Sequence, residues 1–140
     1  MITYKFYNSL CTDAMNIRET VFIKEQGFQD EFDELDDRSI HLVLYEDNKA
    51  VATGRLFPLN TDKSLFKFGR IAVLNEYRKL HLGSKLLQLL DEKAVSMGAT
   101  VVQLSAQCNA QKFYEKNNYQ SVGVPYKDEG CDHILMVKEL

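Results

Sequence analysis

The sequence predicts an α/β (α+β) fold in which a mixed central sheet of about seven strands is flanked by helices. Three observations carry that expectation. Short β-favouring runs recur along the chain, a long helical repeat from Leu82 to Met97 joins two of them without a linker, and hydrophobic and charged residues make up 45% and 26% of the 140 positions, the balance of a folded globular domain. A chain of this length has one core by default, so a single domain spanning 1–140 is expected.

Ile2 to Phe6 alternates apolar and polar residues as a strand does. Asn8 or Ser9 then fits the cap of a helix with Leu10, Ala14, Ile17 and Val21 on its apolar face. From Glu25 to Asp37, seven of thirteen residues are acidic, which predicts a loop or short irregular helix whose partner is cationic. His41 to Tyr45 and Ala50 to Phe57 read as an antiparallel hairpin across the turn Glu46 to Lys49. In Leu65 to Leu74 the apolar residues Phe66, Phe68, Ile71 and Val73 slip in their alternation around Gly69 and Arg70, which predicts a bulge near Gly69. Leu82, Leu86, Leu89, Leu90 and Met97 give helical spacing up to Gly98, and the chain then feeds directly into the β-favouring run Ala99 to Leu104. Ala110 to Lys116 reads as a short helix, Tyr119 to Val124 as a strand ended by Pro125, and His133 to Val137 as the last strand. The crossover from Leu65 to Leu104 is expected to join parallel strands with a right-handed connection.

Seventeen Lys and Arg against twenty Asp and Glu leave a net charge of −3, the opposite of the basic surface on nucleic-acid and membrane-surface binders. Neither partner is expected. Cys11, Cys108 and Cys131 are odd in number and widely spaced, as free thiols in a reducing compartment are. The first residues lack the pattern of a signal peptide, and no stretch reaches the ~20 apolar residues of a membrane span. A cytoplasmic location is expected.

Ligands of open sheets tend to bind beyond the carboxyl ends of the strands. The segment Asn75 to Ser84 lies there, with Arg78 and Lys79 before the start of a helix, where free amides and the positive end of the helix dipole favour an anion such as a pyrophosphate. By itself this turn also fits cations that are merely solvated.

Arg78-Lys79-Leu80-His81-Leu82-Gly83 resembles the Q/R-x-x-G-x-G/A motif of the GNAT N-acetyltransferases, with His81 at the first glycine. Asn109 to Tyr119, containing Phe113 and Tyr114, is similar to the A-x-x-F-Y-x-x-x-G-Y/F signature of the family, with Asn118 in place of its glycine. Arg18 to Gln26 resembles the R-x-x-V-F-x-x-E-Q opening of a bacterial subgroup, and Gly130, His133 and Met136 its G-x-x-H-x-x-M ending. The resemblance covers essentially the whole chain. It implies the GNAT fold with a splayed pair of central strands, the fourth and fifth in chain order, and acetyl-CoA as co-substrate. It implies pairing of the pantetheine arm with Ile71, Ala72 and Val73, a phosphate cradle from Arg78, Lys79, Leu80, His81, Leu82, Gly83 and Ser84, and cofactor contacts from Asn109 and Phe113.

Acetyl transfer to an amine needs a group that takes the amine's proton and one that protonates the departing sulfur. Tyr114 matches the tyrosine that approaches the sulfur in the family; without the motif it reads as a ring packed beside Phe113. His133 is the candidate base, against a satisfied core histidine, and Glu25 could serve through water instead. Arg55 and Arg70 are candidate substrate ligands, because arginines in apolar strands need anionic partners, with pairing to the acidic segment Glu31 to Asp37 as the alternative; Arg18 has the same ambiguity, and Gln26 is a further candidate. His41 and His81 have no second ligand at metal spacing, so no metal is expected, and Cys108 reads as core rather than nucleophile. The expected activity is direct acetyl transfer to a small amine: an amino acid, an amino sugar or its phosphate, or a polyamine. Two other readings remain open, a catalytically weak acyl-CoA sensor and a protein or peptide lysine acetyltransferase. Many relatives of this kind dimerise, and the apolar termini would support a homodimer.

Overall fold

A computed structural model describes residues 1–140. Its strands are β1 (Ile2–Tyr7), β2 (Ile40–Glu46), β3 (Lys49–Pro58), β4 (Leu65–Val73), β5 (Val101–Gln107), β6 (Gln120–Asp128) and β7 (Cys131–Glu139), and its helices α1 (Thr12–Arg18), α2 (Leu82–Ser96) and α3 (Gln111–Lys116). All seven strands form one mixed sheet in the order β1-β2-β3-β4-β5-β7-β6. Every pair is antiparallel except β4 with β5, which is parallel.

Side chains alternate across a strand, so each strand contributes to both faces of the sheet. Leu42 and Leu44 of β2 join Phe66, Phe68 and the leucines of α2 in the larger core cluster, while Val43 joins Ala14, Ile17 and Val21 in a smaller one beneath α1. Helices therefore cover both faces. The β2–β3 hairpin turns on Asp47 and Asn48 alone, both at positive φ (47° and 72°), the geometry of a tight two-residue turn that suits Asp and Asn.

The bulge falls one residue after Gly69. Ala72 opposes Thr53 and Gly69 opposes Arg55, so Arg70 and Ile71 together face the single residue Gly54, and Arg70 takes a left-handed φ of 52°. The extra residue reverses the parity of the strand. Phe66 and Phe68 before it, and Ile71 and Val73 after it, consequently all pack on the larger core cluster.

Two boundaries differ from expectation. The first helix is capped at Cys11, without a side-chain bond, and not at Asn8 or Ser9, because β1 stays paired as far as Tyr7 opposite His41 and the chain then needs four residues to turn. Pro125 lies within β6 rather than ending it. β6 is an edge strand whose register with β7 breaks between Val122 and Tyr126, and there no N–H is required of a proline.

The acidic segment is held by a buried ion network. Arg18, 1% exposed, donates from Nε to Glu31 (2.9 Å) and from Nη1 to Asp36 (2.7 Å); Arg55 Nη1 bonds Asp33 (2.8 Å) and Asp36 (2.9 Å). Arg70 Nε lies 3.0 Å from Glu31 and its Nη2 3.2 Å from Asp33. Three cations face three carboxylates. Burial raises the Asp36 carboxyl, but the hydrogen bond and field of Arg18, the hydrogen bond of Arg55 and the Asp33 amide outweigh it and hold the pKa at about 2. A carboxyl depressed from ~3.9 stabilises the fold above that unfolded value, by on the order of 2–3 kcal/mol, and the contribution is lost as pH falls toward the folded value. We expect urea-measured stability to drop between about pH 4 and pH 2. Asp36→Asn should cost about 3 kcal/mol at pH 7 and flatten that acid limb; an unchanged limb would mean that Asp36 is not held by the arginines.

Candidate active site

β4 and β5 pair at only three positions, Leu65 with Val101, Phe66 with Val102 and Lys67 with Gln103, and then diverge. The gap opens into a cleft of about 1000 Å³ walled by Phe68 to Ile71 on β4 and by Leu104, Ser105 and Gln107 on β5. A π-helical segment, Glu19–Glu25, continues α1 and brings Phe22, Glu25 and Gln26 to the cleft. Glu25 grips Arg78 with both oxygens (2.5 and 2.7 Å), and Gln107 Nε2 donates to Gln26 Oε1 (2.8 Å). Adjacent residues thus bridge to the β4 side and to the β5 side. Glu129 accepts the amides of Gln29 (3.1 Å) and Asp30 (3.2 Å), tying the same segment to the β6–β7 turn.

Past β4, a 3₁₀ turn over Asn75–Leu80 leads to His81, which takes the left-handed conformation (φ 59°, ψ 25°) immediately before α2. This is the position where the resemblance has a glycine, and histidine is among the residues enriched in that region of backbone space. No side chain caps α2, so the amides of Leu82, Gly83 and Ser84 have neither an intrahelical acceptor nor a side-chain one. Lys79, Leu80 and His81 are exposed, whereas the Leu82 side chain is core. What Leu82 can offer a ligand is its backbone. A Cβ on Gly83 would stand 2.8 Å from Phe113 Cζ, so glycine here lets α3 pack against the start of α2. Asn118, at the second substituted glycine, also has positive φ (73°).

Tyr114 and His133 both line the cleft. Tyr114 is 8% exposed, packs edge-on against Phe113 and Tyr119, and is raised by burial to about 12; the phenol is therefore protonated at any working pH. His133 Nδ1 lies 2.9 Å from the Cys131 carbonyl, and its ring stacks on Tyr126, itself bonded to Ser105. A carbonyl only accepts, so Nδ1 carries a proton and, in the neutral ring, Nε2 holds the free lone pair. Glu25 is a weaker base than a free carboxylate, because the Arg78 hydrogen bond lowers its pKa despite some burial.

The cleft brings together Glu25, Gln26, Arg70, Ile71, Arg78, Asn109, Tyr114 and His133 among the residues read from sequence. Ala72 is buried beneath α1, and Val73 presents its carbonyl to Arg78 Nε (2.9 Å). Arg18 is not a substrate ligand: Nε, Nη1 and Nη2 are all bonded inside the buried network. Arg55 has committed both Nη atoms to that network; it lines a smaller adjoining cavity of about 260 Å³ that shares Phe68, Gly69, Arg70, Ser105, Asp128 and His133 with the cleft. The stacked rings of Phe22 and Phe28 (6.1 Å) and the Gln107 bridge were not legible in the sequence. Phe22 lies in a π-helical turn that an α-helical period misplaces, and Gln107 is one polar residue among several near the end of β5. Lys67, a lone cation alternating with Phe66 and Phe68, did carry a signal.

The profile of the acetyltransferase (GNAT) domain matches residues 11–140. YjcF of Bacillus subtilis, named an uncharacterized N-acetyltransferase, is 35% identical over 130 residues, covering 91% of each chain. Among solved structures, a Lactobacillus plantarum protein superimposes with a TM-score of 0.90 at 30% identity (99% of this chain, 98% of that one), and Escherichia coli ElaA with 0.87 at 25% (99% and 100%). An acyl-CoA N-acyltransferase from Pseudomonas aeruginosa gives 0.84 at 25% (99% and 98%). With its sheet order, its diverging parallel pair and these relatives, the chain belongs to the GNAT acetyltransferase family.

Proposed function

We propose that this chain transfers acetyl from acetyl-CoA directly to the primary amine of a small molecule. The observation that carries the reading is the divergence of β4 from β5 into a cleft with Tyr114 and His133 on its wall. The residues fit the donor: Ile71, Ala72 and Val73 would flank the pantetheine arm, and the uncapped amides of Leu82, Gly83 and Ser84, with Arg78 and Lys79, would hold the pyrophosphate. The Leu80–His81 backbone shapes that turn, Phe113 packs against its Gly83, and Asn109 lines the cleft. When bound, acetyl-CoA supplies an activated thioester whose acyl carbon goes to the amine nitrogen while its sulfur departs.

Alkylammonium groups with a pKa of ~10.4 are protonated at neutral pH, so the nitrogen must first lose a proton, and His133 Nε2 is the acceptor. Tyr114 donates a hydrogen bond to the sulfur as negative charge builds there. From a phenol at about 12 to a thiolate of ~8.5, complete proton transfer is uphill; Tyr114 therefore acts chiefly as a donor in the transition state. The bridges from Glu25 and Gln26 roof the cleft, which favours a small acceptor over a peptide.

The test is thiol release from acetyl-CoA across a panel of small amines, compared with a lysine peptide. Release on at least one small amine is expected; binding of acetyl-CoA without release on any amine would identify a sensor instead. Tyr114→Phe should lower kcat about 100-fold with the KM for acetyl-CoA within about threefold, and an unchanged kcat would reduce Tyr114 to packing. His133→Asn should lower kcat about 100-fold at pH 7, with recovery as pH approaches the pKa of the amine. Glu25→Gln, which frees Arg78 for phosphate, should tighten acetyl-CoA binding in calorimetry and leave kcat within about threefold; a large loss of kcat in that variant would make Glu25 the base.

A further inference from the structure

The smaller cavity beside the cleft is lined by three cations, Arg55, Lys67 and Arg70, and by one carboxylate, Asp128. Two of the cations are already neutralised. Arg55 is paired with Asp33 and Asp36, and Arg70 with Glu31 and Asp33. Lys67 has no carboxylate within ion-pair distance, although its side chain is half-buried. It sits at the last β4–β5 pair before the strands part, opposite Gln103, and projects from the face away from Phe66 and Phe68. A half-buried ammonium without an ion-pair partner is unfavourable, and its own response agrees: burial first, then the fields of Arg55 and Arg70, lower its pKa against the weaker opposing fields of Asp128 and Asp33. A second donor in the same wall is also unmet, because Arg55 Nε is buried with no acceptor.

We propose that this cavity is the acceptor subsite and that Lys67 holds an oxyanion of the acceptor, so that the preferred substrates are small amines carrying a carboxylate or phosphate. The inference rests on the acetyl-transfer reading for its orientation: His133 borders both cavities, which puts the amine end toward the cleft and the anionic end toward Lys67. An uncharged acceptor would leave Lys67 without a partner, and a polyamine would add cations to a wall that already holds an unpaired one.

Two measurements on the full chain separate this inference from the reading beneath it. The first is binding, followed by ¹H–¹⁵N NMR with β-alanine, O-phosphoethanolamine and ethylamine. At least one anionic probe should shift the amides of Lys67, Gly69 and Asp128 to saturation. Lys67→Met should weaken that probe by at least about tenfold, or ~1.4 kcal/mol, whereas Lys67→Arg retains it and ethylamine does not saturate. Which probe saturates first distinguishes carboxylate from phosphate. If neither anion shifts those amides, or if Lys67→Met binds both as the wild type does, the inference is overturned. The second is thiol release with the same amines. Anion binding without acetylation of any amine would sink the transfer reading and leave the anion site standing; equal acetylation of ethylamine and the anionic amines, unaffected by Lys67→Met, would do the reverse.

Discussion

The parting of β4 and β5 after three residue pairs is the constraint on which the rest of the molecule depends. Strands in a sheet lie about 4.8 Å apart and consume each other's N–H and C=O groups. Where they separate, the facing backbone edges lose those partners, and a ligand or water must supply them. The bulge at Arg70 and Ile71 acts at the same level of the sheet. By reversing the parity of β4, it lets Phe66 and Phe68 below and Ile71 and Val73 above pack on one core, while Arg70 is turned out to the cleft and to Glu31.

The buried ion network gives that opening a fixed wall. Without Arg18, Arg55 and Arg70, six charges' worth of pairing would be lost and the segment from Glu31 to Asp36 would have no reason to lie against the sheet. Its placement in turn fixes the approach of Glu25 and Gln26, whose bonds to Arg78 and Gln107 span the mouth of the cleft. The Glu25–Arg78 contact is exchangeable in a way the buried pairs are not, since both side chains are more than a third exposed or close to it (39% and 34%) and exposed pairs contribute little. Under the proposed function, a pyrophosphate at the start of α2 would compete for Arg78 on favourable terms.

Much of this was readable from residues. The slip between Phe68 and Ile71 foretold the bulge, the acidic run foretold cationic partners, and the motif around Arg78 and Tyr114 foretold which turn and which short helix would border the cleft. Other features depend on tertiary geometry that one-dimensional patterns do not encode. The π-helical turn moves Phe22 and Glu25 off an α-helical face. Pro125 continues a strand because β6 happens to be an edge. The choice between substrate and network for Arg18 rested on burial, which no spacing rule gives. His81 and Asn118 departed from the motif in residue type but kept the positive φ that the glycines would have supplied.

In the proposed function the space between β4 and β5 holds the donor, with Tyr114 at its sulfur. A crystal structure of the chain grown with coenzyme A tests it most directly. The pantetheine arm is expected between Ile71 and Ser105, the pyrophosphate on the amides of Leu82 to Ser84 with the Glu25–Arg78 pair opened, and the sulfur within hydrogen-bonding reach of the Tyr114 hydroxyl. Coenzyme A bound elsewhere on the surface, with the cleft still closed by Glu25 and Gln26, would contradict it.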